Sequence, residues 1–94
     1  MVERELVRTT AFVRAAKRYL KRNPQAVEDL RRTLELLAAD AFDVRLKTHK
    51  LKGDLDGVWA CSAGHDLRVL FGFVRVETVE RILLLAVGSH DEVY

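Results

Sequence analysis

Residues 4–9 alternate charged and apolar positions through Leu6 and Val7, the period of a short opening strand. Thr9 or Thr10 can then cap a helix with Phe12, Ala15, Ala16, Tyr19 and Leu20 on one face and Arg14, Lys17, Arg18, Lys21 and Arg22 on the other. Asn23-Pro24 breaks that helix and starts a second, with Asn23 as N-cap, Pro24 at the first helical position, and Glu28 and Asp29 near the positive end of the helix dipole. Val27, Leu30, Leu34, Leu37 and Ala41 recur at three- and four-residue intervals, so the second helix lays an apolar stripe on a sheet. From 41 to 57 neither period persists, and Gly53 and Gly57 punctuate a polar stretch with turn chemistry. Three apolar runs follow, 58–63, 67–74 and 79–87, separated by Gly64-His65-Asp66 and by a charged turn over 75–80. They read as a β-meander. The run from Ile82 to Val87 is continuous rather than alternating, which predicts a central strand covered on both faces. The expected order is β-α-α-β-β-β: an α+β fold with a helical hairpin packed on a mainly antiparallel four-stranded sheet.

The chain is 94 residues long, enough for one core and too short for two, so a single domain over 1–94 is expected. Its net charge of +2 is unevenly spread: residues 1–52 carry +6 and residues 53–94 carry −4. A basic half favours phosphate polymers, although a solvated helix face also accumulates Lys and Arg. The single cysteine, Cys61, excludes an intrachain disulfide framework and a thiolate zinc cluster, and its apolar surroundings predict a buried inert thiol. The amino terminus, Met1-Val2-Glu3-Arg4-Glu5, is charged and has no signal-peptide h-region, and no apolar run approaches membrane-spanning length. A cytoplasmic protein with no membrane partner is expected.

Three histidines, His49, His65 and His90, each lie near a glycine or a basic loop. No His-x-x-x-His or Cys-x-x-Cys spacing is present, and Asp54, Asp56, Asp66, Asp91 and Glu92 form no recognised cation loop, so neither metal ligation nor any other cofactor is expected. Neither Ser62 nor Ser89 sits in a Gly-x-Ser-x-Gly elbow, and no Walker or dinucleotide fingerprint occurs. Metal-free phosphodiester chemistry on RNA fits what is left, because the substrate's own 2′-hydroxyl can attack the neighbouring phosphate. That reaction needs a base, an acid for the leaving 5′-oxygen and cations for the charge on phosphorus. His49, Asp66 and His90 supply the first two, Lys50, Lys52 and Arg68 the third, and Tyr94 can stack on a base. Trp59 reads as core or groove lining rather than as a stacking platform.

Three segments carry a resemblance: His49-Lys50-Leu51-Lys52-Gly53-Asp54-Leu55-Asp56-Gly57-Val58-Trp59, then Asp66-Leu67-Arg68-Val69-Leu70-Phe71, then Gly88-Ser89-His90-Asp91-Glu92-Val93-Tyr94. Together they resemble the YafQ-type branch of the RelE/ParE toxin superfamily. The resemblance implies a RelE-like fold and a type II toxin–antitoxin toxin that cleaves mRNA in the ribosomal A site without a metal. It also implies a cognate antitoxin that silences the toxin in a hetero-oligomer. Catalytic roles carry over to His49, Asp66, His90 and Tyr94. The best-known branch has a further catalytic histidine where Ser62 stands, and His65, at an odd offset along the strand, is not an automatic replacement. Two other readings stay open: a non-catalytic ParE-like toxin that acts by protein binding, and an inactive antitoxin-binding remnant.

Overall fold

The threonine that opens the first helix also joins it to the sheet. In the computed structural model, which describes residues 3–53 and 57–93, strand β1 (Glu5–Arg8) leads into helix α1 (Thr10–Arg22). Thr9 is the N-cap: its hydroxyl oxygen accepts from the Phe12 N–H at 3.1 Å and donates to the Leu84 carbonyl at 2.7 Å. The helix ends at Asn23, whose backbone N–H and side-chain Nδ2 both donate to the Tyr19 carbonyl, at 2.9 and 3.0 Å. Asn23 therefore does not cap the second helix, contrary to what its place before Pro24 predicts. Instead Pro24–Ala26 forms a 3₁₀ turn and helix α2 (Val27–Ala39) starts three residues later, without a side-chain cap. Proline forces this step, since it has no N–H to donate and leaves the groups of the tight turn as the helix entry. Glu28 and Asp29 do fall in the first turn of α2.

A second 3₁₀ turn, Val44–Leu46, leads to the two-residue strand β2 (His49–Lys50), then β3 (Trp59–Ala63), β4 (Leu67–Val76), β5 (Val79–Ser89) and the single turn of helix α3 (His90–Val93). The sheet has five strands in the order β1-β5-β4-β3-β2, antiparallel except for β1, which runs parallel to β5. It therefore contains the four expected strands and one more, β2, which is too short to show a period and whose segment reads as a loop in the sequence. The β4–β5 hairpin is also longer than its charged tip implied. Val76 pairs with Val79, and only Glu77 and Thr78 lie between them, with Glu77 in the left-handed region at φ 60°.

Phe12, Leu30 and Leu37 of the helices pack with Cys61, Val69, Phe71, Ile82 and Leu84 of the sheet in one cluster. Thr33 is buried on α2 where the stripe would place an aliphatic residue, while Val27 stays exposed at the helix start. Alternation along β3 and β4 turns Ala60, Ser62, Arg68 and Leu70 to the face away from the helices. On β5 the alternation breaks. Leu70 pairs with Ala86 and Phe71 with Leu84, so Leu85 is an extra residue, a β-bulge. The core-facing set consequently passes from Ile82 and Leu84 to Val87. The continuous apolar run thus reflects a change of phase, and Leu83, Leu85 and Ala86 on the opposite side are only half-buried rather than covered.

Phe71 has no solvent exposure, whereas Val44 is 86% exposed. Phe71→Ala should lower unfolding free energy by about 3–5 kcal/mol and Val44→Ala by less than about 0.5 kcal/mol in urea titrations. Equal costs for the two would show that the core is not organised around β4.

Candidate active site at the ends of strands β4 and β5

The three-residue turn Gly64-His65-Asp66 joins β3 to β4 and is required to be tight, because Ala63 pairs directly with Leu67. Gly64 has φ +72°, and a Cβ there would come within 2.6 Å of the Asp29 carboxylate, so both the backbone conformation and the close approach of α2 call for glycine. The turn leaves His65 and Asp66 exposed. From the other side, the chain leaving β5 is tied to the same turn: the His90 N–H donates to the Asp66 carbonyl at 3.1 Å. Asp66 and His90, 24 positions apart in the chain, are thereby neighbours.

His90 opens α3, whose geometry is set by a reciprocal cap. The Glu92 N–H donates to Ser89 Oγ at 3.3 Å, and Glu92 Oε1 accepts from the Ser89 N–H at 2.8 Å. This is a capping box, and the Ser-x-x-Glu spacing is the sequence signal that marks it. The second carboxylate oxygen of Glu92 accepts from Arg22 Nη2 at 2.8 Å. These contacts hold the Glu92 carboxyl below its ordinary titration range, the Ser89 backbone hydrogen bond contributing most. Between α1, the Asp66 turn and α3 lies a cleft of about 390 Å³ lined by Tyr19, Arg22, Asn23, Asp66, Ser89 and Glu92. Burial, followed by the charges of Asp66 and Glu92, pushes the Tyr19 phenol up, so Tyr19 presents a protonated hydroxyl to this cleft. Neither Tyr19 nor Arg22 was singled out by sequence, because both read as parts of helix faces.

Arg68 pairs across the sheet with Ser62 on one side and Gly88 on the other, and its Nη1 donates to the Leu67 carbonyl at 3.0 Å. His49 pairs with Ala60, which places it on the same face as Ser62 and Arg68, diagonal to Ser62 at about 7–8 Å between Cα atoms. Its Nδ1 lies 3.0 Å from the Lys47 carbonyl, an oxygen that can only accept, so the hydrogen bond between them is made by a proton on Nδ1. Thr48 fixes the start of this strand by donating to the Ala41 carbonyl at 2.6 Å. Lys50 pairs with Trp59 and by register projects to the other face, while Lys52 is exposed in the segment that follows. His90 Nδ1 is 3.5 Å from Asp91 Oδ1, at the outer limit of a hydrogen bond. Tyr94 lies outside the described residues.

The structure therefore gathers Asp66, Arg68 and His90 at one end of β4 and β5, with His49 on the same face as Arg68 and Lys50 turned away. Among the described residues no group of His, Cys, Asp or Glu has the arrangement to hold a metal ion. Trp59 is engaged elsewhere, edge-on to Phe42 and Phe73 at 5.5 and 5.6 Å between ring centroids. Arg4 sits over the Phe73 ring and pairs with Glu80 beside this aromatic cluster, whose Trp59 and Phe73 pack against the core.

Residues 4–94 match the family described as a bacterial toxin of type II toxin–antitoxin system, YafQ. The chain belongs to the YafQ toxin family. Comparison with curated protein sequences gave no match. Among solved structures, this YafQ-family chain superposes on YafQ from E. coli with a TM-score of 0.73 at 14% identity, covering 98% of this chain and 99% of that one. A YoeB/ParE toxin from Agrobacterium tumefaciens gives 0.73 at 19% identity, over 92% of this chain and 98% of that one. The E. coli DinJ–YafQ toxin–antitoxin complex gives 0.71 at 15% identity, over 99% of both chains. At these identities the structures report the shared fold: a helical hairpin on a five-stranded mixed sheet.

Cys61 is fully buried, and burial pushes its thiol up to about 12. Alkylation of the native protein should be undetectable at pH 8 and should become rapid when urea unfolds the chain, because only the thiolate reacts. Stoichiometric labelling of the native state at pH 8 would contradict the packing of β3.

Proposed function

We propose that this YafQ-family toxin is a cytoplasmic endoribonuclease, acting as a single domain, that cleaves mRNA on the ribosome by acid–base chemistry. The observation that supports the proposal is that Asp66, Arg68 and His90 lie near one another in the backbone at the shared end of β4 and β5, with His49 on the Arg68 face. In the proposed reaction the substrate's 2′-oxygen attacks phosphorus and the bond from phosphorus to the 5′-oxygen breaks. The 2′-hydroxyl proton passes to His49 or Asp66, and His90 protonates the departing 5′-oxygen. Arg68 offsets the charge that builds on the phosphate oxygens, a role that suits a planar donor fork. Lys52 holds a flanking phosphate, Lys50 being turned to the opposite face, and Tyr94 stacks on a base beside the cleaved bond.

Regulation by an antitoxin completes the reading. The YafQ of E. coli forms a complex with DinJ, and this chain has the same fold and the basic amino-terminal half that an acidic segment would meet. Complementary charge speeds such an encounter, while apolar anchors supply most of the affinity. The alternative of an inactive antitoxin-binding remnant draws on Ser62, which stands opposite Arg68 where the resemblance to the best-known branch implies a histidine.

Single-turnover cleavage on programmed ribosomes tests the assignment. The parental protein should cut translated message, and His90→Ala should slow cutting by about a hundred- to ten-thousand-fold while leaving folding and antitoxin binding intact. Intact messages in cells arrested by the parental protein would exclude a nuclease. Topoisomerase inhibition that survives combined His49→Ala and His90→Ala replacement would instead select a ParE-like mode of action.

A further inference from the structure

We infer that Arg22 and Glu92 form a latch between α1 and α3 that positions His90 for its reaction, a role that rests on the acid–base function proposed for His90. Helix α3 has four residues, and isolated helices shorter than about 12 residues are marginal even in favourable sequences, so its shape must be imposed by its surroundings. Glu92 does this with both carboxylate oxygens. Oε1 closes the cap on the Ser89 N–H, and Oε2 reaches Arg22 in the last turn of α1. The anchor is itself well fixed, since α1 is finished by the two Asn23 donors on the Tyr19 carbonyl.

Gly88 lets the turn fold back closely: a Cβ there would lie 3.1 Å from Glu92 Oε1 and 3.3 Å from Val93 Cγ1. The backbone of His90 is then held from two directions, by the Asp66 carbonyl on its own N–H and by Glu92 two residues on. The ion pair is largely exposed, with side-chain exposures of 60% and 41%, and such pairs contribute little to global stability. Its consequence is local. A general acid must reach the leaving oxygen within hydrogen-bond distance, and a misplacement of about 1 Å can cost as much as a hundredfold in rate. Arg22 and Glu92 are thus positioning residues, acting through His90.

The experiment pairs single-turnover cleavage with amide hydrogen exchange at His90 in the parental protein, Glu92→Ala, Glu92→Gln and Arg22→Lys. Glu92→Gln keeps an acceptor for the Ser89 N–H and loses the ion pair; Arg22→Lys keeps the charge and loses the planar fork. Glu92→Ala should cut the rate of the chemical step by about ten- to a hundredfold, with ribosome affinity and melting temperature close to parental. Its His90 amide should exchange at least about tenfold faster. The two conservative variants should fall between it and the parental protein on both measures. A folded Glu92→Ala protein that cleaves at the parental rate overturns the latch, whatever its exchange. A parental protein that cleaves no translated message overturns the acid–base reading itself, and that outcome is separable because it involves no variant.

Discussion

The arrangement of the molecule depends on how β5 is held. This strand is paired on both sides, with β1 in parallel and β4 antiparallel, and it buries Ile82, Leu84 and Val87 beneath the helices. Burial of these side chains fixes the backbone of the strand, so the residues that follow start from a fixed point. Thr9 adds a second restraint by binding the Leu84 carbonyl while capping α1, which couples the helix to the strand that it covers. The bulge at Leu85 sets the phase of everything beyond it. It keeps Val87 in the core and puts Gly88 opposite Arg68, beside the turn that carries Asp66.

This explains why the fold was legible in the sequence to the extent that it was. The helical hairpin follows from the Phe12-to-Leu20 and Leu30-to-Leu37 periodicities, and the meander from the glycine turn at Gly64 and the apolar runs around it. What periodicity misreads is anything shorter than a period or displaced by one residue. The two residues of β2 pair with β3 without any pattern of their own. The Leu85 bulge turns an alternating strand into a continuous apolar run, which imitates burial on both faces. At Asn23 a residue favoured as an N-cap is drawn to the carbonyl behind it instead, because the tight turn after Pro24 separates it from α2.

The candidate site was legible in its chemistry and not in its support. His49, Asp66, Arg68 and His90 stand out as residue types; register puts His49 and Arg68 on one face, and the His90 N–H bond to the Asp66 carbonyl puts those two residues side by side at the end of β4 and β5. Tyr19, Arg22 and Glu92 do not stand out, since each is an ordinary member of a helix or terminal segment until α1 and α3 are brought together. Lys50 illustrates the reverse. It sits in a basic motif, yet its pairing with Trp59 turns it from the face that His49 shares with Arg68.

The reaction proposed for the strand-end site is attack by the RNA's own 2′-hydroxyl, with the protein supplying proton transfer and charge. Replacing the ribose on the 5′ side of the cleaved bond by 2′-deoxyribose, in an otherwise identical message on programmed ribosomes, tests this most directly. The deoxy message should bind and stay intact, while the ribose message should give an upstream product ending in a 2′,3′-cyclic or 3′-phosphate and a downstream product with a 5′-hydroxyl. Cleavage of the deoxy message at the parental rate, or a downstream product carrying a 5′-phosphate, would contradict it.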